Sequence, residues 1–103
     1  MRPPTPRPVA RALVAVGEDM RTWRLLRQLT LEQVADRAGV SPATVRRLEH
    51  GDGASFENVL RVSRALGLLD EVLRAFDPYE TDVGRLRSTQ QLPQRIRRAQ
   101  NMS

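Results

Sequence analysis

The chain contains no cysteine and a single histidine, His50, among its 103 residues. The first absence excludes disulfides, thiolate zinc sites and cysteine nucleophiles together. The second leaves His50 without partners for a metal cluster, so neither a metal nor a cofactor is expected. Lysine is also missing: all 17 basic residues are arginine, whose planar fork of donors suits phosphates and guanine edges. There is no apolar run long enough to span a bilayer and no apolar N-terminal stretch of the kind a signal peptide has, so a cytoplasmic location is expected.

What is present is enough for one small core. Hydrophobic residues make up 40% of the chain. A domain of this size buries only part of its surface and is helped by a partner chain. The formal charge is +5, and its location is more informative than its size. Residues 83–103 hold five arginines (Arg85, Arg87, Arg95, Arg97, Arg98) and no acid, which leaves the preceding residues balanced.

Four prolines (Pro3, Pro4, Pro6, Pro8) crowd residues 1–8, which read as a disordered arm. From Val9 the pattern turns helical: Leu13, Val16, Met20 and Trp23 recur at spacings of three and four, and the helix should run to about Gln28, with Gly17 a possible break or start. Thr30 is a good N-cap for the next helix, and Gln33 three places on completes a capping box. Leu31, Val34, Ala35 and Ala38 form its apolar face, and Gly39 ends it. Ser41-Pro42 opens a third helix with Val45 and Leu48 inward, closed by the turn Gly51-Asp52-Gly53. Ser55 caps a fourth, with Phe56, Val59, Leu60, Ser63 and Leu66 along one side; Gly67 breaks it. Leu69, Val72, Leu73 and Phe76 mark a short fifth helix before Asp77-Pro78. No strand pattern appears. The expected organisation is an arm over 1–8, an all-α domain over 9–77 and a polar, arginine-rich tail over 78–103, extended or only partly helical.

Two short helices meeting across Gly39-Val40-Ser41 form a helix-turn-helix pattern over Thr30–Gly51. Ala35 is the small residue the crossing needs, Gly39 makes the sharp turn, and Val45 anchors the second helix. The second helix of such a unit lies in the major groove. With Val45 and Leu48 inward, Ala43, Arg46, Arg47 and His50 point outward, while Pro42, Ala43 and Thr44 lie at the end nearest the bases. An arginine can take both acceptors of a guanine, so Arg47 is expected to read a base and Arg46 a base or a phosphate. The helix starts at Thr30, with Gln33, and at Ser41 and Ser55 offer backbone N–H groups to phosphates. The segment is not itself basic: Arg37, Arg46 and Arg47 stand against Glu32, Asp36, Glu49 and Asp52.

From Gly17 to Phe76 the sequence resembles the Xre/Cro/cI family of repressors, most closely in LTLEQVADRAGVSPATVRRLEHG (Leu29–Gly51). The resemblance implies a five-helix, lambda-repressor-like domain that binds double-stranded DNA as a homodimer and regulates transcription, placing the chain at the nucleoid. It also implies an ion pair between Arg24 and Glu49. Leu31 departs from the family, which often has glutamine there to touch phosphate. Pro42 and Ala43 depart too, since they can at most meet a thymine methyl. The stretch Ser55–Phe76 with LPQRIRR (Leu92–Arg98) is more loosely similar to HipB-type antitoxins, which implies a possible toxin protein as partner. Leu69, Val72, Leu73 and Phe76 would then form a dimer seam or a docking face, against the plainer reading of a core helix. An enzyme is not expected: Asp70-Glu71 and Glu18-Asp19 are better explained as charges at helix starts.

Overall fold

Six α-helices follow one another in the computed structural model, which describes residues 3–91: α1 (Arg7–Leu26), α2 (Leu31–Ala38), α3 (Pro42–Glu49), α4 (Phe56–Ala65), α5 (Leu69–Phe76) and α6 (Asp82–Gln91), with a 3-10 turn at Pro78–Glu80. The described residues include no strand. The chain divides into two units, Met1–Asp70 and Glu71–Ser103.

In the first unit each short helix is defined by its ends. Thr30 and Gln33 form the capping box: Gln33 N–H donates to Thr30 Oγ1 at 3.1 Å, and Thr30 N–H donates to Gln33 Oε1 at 2.8 Å. Gly39 terminates α2 in the left-handed conformation (φ 70°), and Val40 N–H returns to the Ala35 carbonyl, which satisfies carbonyls the helix leaves unpaired. Ser41 and Ser55 cap α3 and α4 through Thr44 N–H and Asn58 N–H. The core formed between these helices is Met20, Leu29, Val34, Ala35, Ala38, Val45, Leu48, Val62 and Leu66. Among the described residues, the buried polar residue Ser63 donates to the Val59 carbonyl at 2.7 Å and so brings no unsatisfied group inside.

The first helix departs from the expected one in three ways. It starts at Arg7 rather than Val9, because Pro8 falls in the first turn, where a missing N–H costs nothing. It ends at Leu26, before Gln28 turns left-handed (φ 57°). Its inward stripe is also rotated: Met20 is buried and Leu13 partly so, but Val16 and Trp23 are exposed, and Gly17 and the Arg24 side chain face inward instead. Gly17 does not break the helix. Its backbone lies against the last carbonyls of α3, and a Cβ there would sit 2.3 Å from Leu48 O and 2.8 Å from Glu49 O. Apolar periodicity could not reveal an inward position whose function is to have no side chain.

In the fourth helix and its C-cap, Ser63 and Leu66 are buried and Val59 packs on the core as expected, with two differences. Phe56 is exposed and Val62 is buried, with Leu60 half-buried. Phe56 is the first residue of the helix, whereas Val62, in its second half, and Leu66, its C-cap, enter the core.

In the second unit the segment expected as a tail contains a helical turn and α6. Asp77 caps the 3-10 turn through Tyr79 N–H, and Thr81 Oγ1 accepts from Gly84 N–H at 2.9 Å. Gly84 is needed for the close turn, since a Cβ would overlap the Pro78 carbonyl. Arg85 bridges to Asp82 and to the Tyr79 carbonyl. The arginines at 95, 97 and 98 lie outside the described residues.

The Gly17 contact has a measurable consequence. Alanine is favoured over glycine in a helix by about 1 kcal/mol, yet Gly17→Ala should destabilise the domain by roughly 1–3 kcal/mol, as overpacking does. A lower urea midpoint at unchanged helix content is expected; a raised midpoint would show that α1 does not rest on α3.

Candidate nucleic-acid interface

The outward side of α3 follows from what its inward side must bury. Val45 (1% exposed) and Leu48 (4%) point into the core. At 100° per residue this leaves Pro42, Ala43, Arg46, Arg47 and His50 outward, and all five are exposed. Thr44 is half-buried, with its hydroxyl 3.0 Å from Ser41 Oγ. That hydroxyl pair and the Ser41 cap hold the first turn of α3 in one conformation. Neither Arg46 nor Arg47 has an ion-pair partner among the described residues, so both guanidinium forks are available to a ligand.

Arg47 lines an open groove of about 630 Å³. It is also lined by Thr5 just before α1, by Val9 and Leu13 of α1, by Asp52, and by Ser55 and Asn58 at the start of α4. Arg46 does not line this groove. The two arginines therefore occupy different surroundings, a distinction that residue spacing alone did not draw. Asn58 was also absent from the expected site. Its position three residues after the Ser55 cap, with an amide where a capping box has Glu or Gln, was the one hint available.

Thr30 and Gln33 lie exposed at the start of α2 and Ser55 at the start of α4. The Gln33 oxygen is committed to the capping box, which leaves its amide N–H₂ as the group able to reach outward.

The orientation of α3 is held from behind. Arg24 Nε donates to Glu49 Oε2 at 2.7 Å and Nη2 donates to Oε1 at 3.1 Å, a bidentate pair with side chains only 12% and 6% exposed. Arg24 Nη1 also donates to the Leu29 carbonyl. The hydrogen bonds with Glu49 raise the Arg24 pKa above its ordinary value despite partial burial. Leu69 and Val72 of α5 are half-buried, whereas Leu73 and Phe76 are exposed, so α5 contributes no fully buried residue. The plainer expectation of Leu73 as a core residue is thereby corrected: its side chain remains 42% exposed.

Two short capped helices, a left-handed glycine between them and an outward arginine row on the second are the geometry of a DNA-reading pair. A family model described as Helix-turn-helix, HTH_3, matches residues 20–72, about half of the chain. The chain belongs to this Xre/cI-type helix-turn-helix family. It is a DNA-binding, non-enzymatic domain family, and the fold and the general role in transcription regulation agree with it. No curated protein and no solved structure matches the chain. Among the described residues, no helix is long and apolar enough to cross a membrane, and no group of three or more metal-ligating side chains comes together.

In this helix-turn-helix domain, Glu49→Ala should leave Arg24 buried and unpaired, at a cost of about 3–5 kcal/mol. Glu49→Gln, which keeps a hydrogen-bond acceptor, should lose less. Chemical denaturation of the two variants checks the ordering, and equal midpoints with the parent would show that the pair does not hold α3.

Proposed function

We propose that the protein is a sequence-specific transcriptional repressor that binds operator DNA as a homodimer in the cytoplasm, at the nucleoid, with α3 in the major groove. The observation that carries this reading is the exposed row Ala43, Arg46, Arg47 and His50 on a helix whose opposite side is locked into the core. Arg47 is the base reader, placed to offer its fork to the two acceptors of a guanine. Arg46 contacts a base or a phosphate, and Pro42, Ala43 and Thr44 meet the base edges by shape and methyl contact. The capped starts of α2 at Thr30 and Gln33, of α3 at Ser41 and of α4 at Ser55 bind phosphates on either side, through N–H groups at the positive ends of the helices. No cofactor takes part. With two arginines as the long donors on α3, part of the selectivity comes from the shape of the DNA.

A second reading is favoured by α5, whose apolar residues Leu73 and Phe76 lie exposed, at 42% and 67%. With Leu69 and Val72 they would form a face for a toxin protein of the kinase class, and the chain would then be an antitoxin that also represses its own synthesis. Salt separates the two activities: counterion release makes DNA binding fall steeply with ionic strength, whereas an apolar docking face changes little.

Selection of bound fragments from random duplex DNA, followed by mobility shifts, tests the first reading. Two half-sites about one helical turn apart are expected, and a single half-site binding as tightly as two would overturn the dimer. Arg47→Ala should weaken discrimination at one base pair by roughly 1–3 kcal/mol. A uniform loss over all sequences would make Arg47 a phosphate contact instead.

A further inference from the structure

The first half of α1 carries a second face that the fold covers only along one edge, where Val14 approaches Gly51. The inward stripe is Leu13, Gly17, Met20 and Arg24. On another side, Val14 and Ala15 lie between Arg11 and Glu18, and with Ala10 these residues line a shallow surface trough. A surface helix ordinarily turns polar side chains to solvent, yet between Val9 and Val16 the only polar residue is Arg11. Val9, Val14 and Val16 are each nearly half exposed. The family match begins at residue 20, so this face lies ahead of the shared helix-turn-helix domain and is not explained by it.

The charges at the two ends of the trough identify what fits it. Arg11 and Glu18 are seven residues apart, so they share a face but stand about 10.5 Å apart along the axis, too far to pair with each other. Neither belongs to any of the ion pairs among the described residues. The order Arg11, Val14, Ala15, Glu18 is self-complementary about a centre between Val14 and Ala15. When a second copy of α1 is laid antiparallel across that centre, Arg11 meets Glu18 of the second copy, Glu18 meets its Arg11, and Val14 packs on Ala15 twice. This is the requirement of an isologous two-fold interface, in which one patch is its own complement.

We propose that α1 pairs antiparallel with α1 of a second copy of this chain, joined by the Val14–Ala15 contact and two reciprocal Arg11–Glu18 ion pairs. The pairing supplies the interface of the homodimer put forward above. Its test reads mass rather than DNA binding, so the two readings fail separately. Sedimentation equilibrium of the full chain, over concentrations that span the dissociation constant, should give a dimer. R11E and E18R each place like charges together at both ends and should weaken the dimer about tenfold, in line with the modest energy of exposed charge pairs. An equimolar mixture of the two should regain the parent's affinity, because the R11E chain carries acid at both ends of the trough and the E18R chain carries base at both. Far-ultraviolet circular dichroism should be unchanged, since both positions are exposed. A monomeric parent, single variants that dimerise as tightly as the parent, or a mixture no tighter than its components would each overturn the proposal. So would a dimer lost on Leu73→Glu but kept in R11E, which would place the seam on α5. Mobility shifts on the same samples report DNA binding independently: a dimer with no affinity for selected DNA would sink the repressor reading and leave this one standing.

Discussion

The contact of α1 with the end of α3 is the constraint on which the rest of the domain depends. Gly17 brings the α1 backbone against the Leu48 and Glu49 carbonyls, and Gly51, left-handed at φ 81°, lets Val14 approach just beyond. Arg24 then reaches the Glu49 carboxylate from the same helix, about two turns further along. Packing shields most of the pair from water, and its low exposure makes each partner costly to leave alone. Together, two glycines and one ion pair fix the rotation of α3 about its axis. That rotation decides which side chains a major groove would meet, because a turn of one residue would carry Arg47 through 100°.

Arginine also closes the ends of α2 and α4 and the turn after α1. Arg27 lies 5.3 Å from the Trp23 ring centre and donates through Nε to the Leu66 carbonyl at the end of α4. Arg61 Nη1 reaches the Ala38 carbonyl at the end of α2, and Arg24 Nη1 reaches the Leu29 carbonyl. Glycines stand beside two of these guanidinium groups, Gly67 next to Arg27 and Gly39 next to Arg61. The negative ends of two helices and one turn are thus met by cations that span between elements. In a chain without lysine, the same residue type fastens the scaffold from within and, at Arg46 and Arg47, faces outward from it.

Much of the domain was legible in the order of residues. Thr30, Ser41 and Ser55 announce three helix starts, and Gly39 announces the turn, because capping is chemistry between residues two or three places apart. Val45 and Leu48 announce the inward side of α3 by spacing. The face of α1 was not legible in the same way. Val16 and Trp23 satisfy helical spacing as well as Leu13 and Met20 do, and the choice went to the stripe containing a glycine. Phe56 was expected inward and is exposed for a similar reason: periodicity gives a helix an apolar side but does not say how far the core extends toward its end. The helix over Asp82–Gln91 was masked by a polar composition whose support is local, from Thr81, Asp82 and Arg85.

The sequence by itself determined the all-helical class, the capped boundaries of α2, α3 and α4, and the pair of outward arginines, since each rests on interactions within a turn or two of chain. Tertiary structure alone decided which side of α1 is buried, that Arg47 lines a groove with Asn58 while Arg46 does not, and that Gly17 is a contact rather than a break. Those outcomes depend on the approach of segments some thirty residues apart, where the shape of one backbone against another, not the hydropathy of either, selects the arrangement.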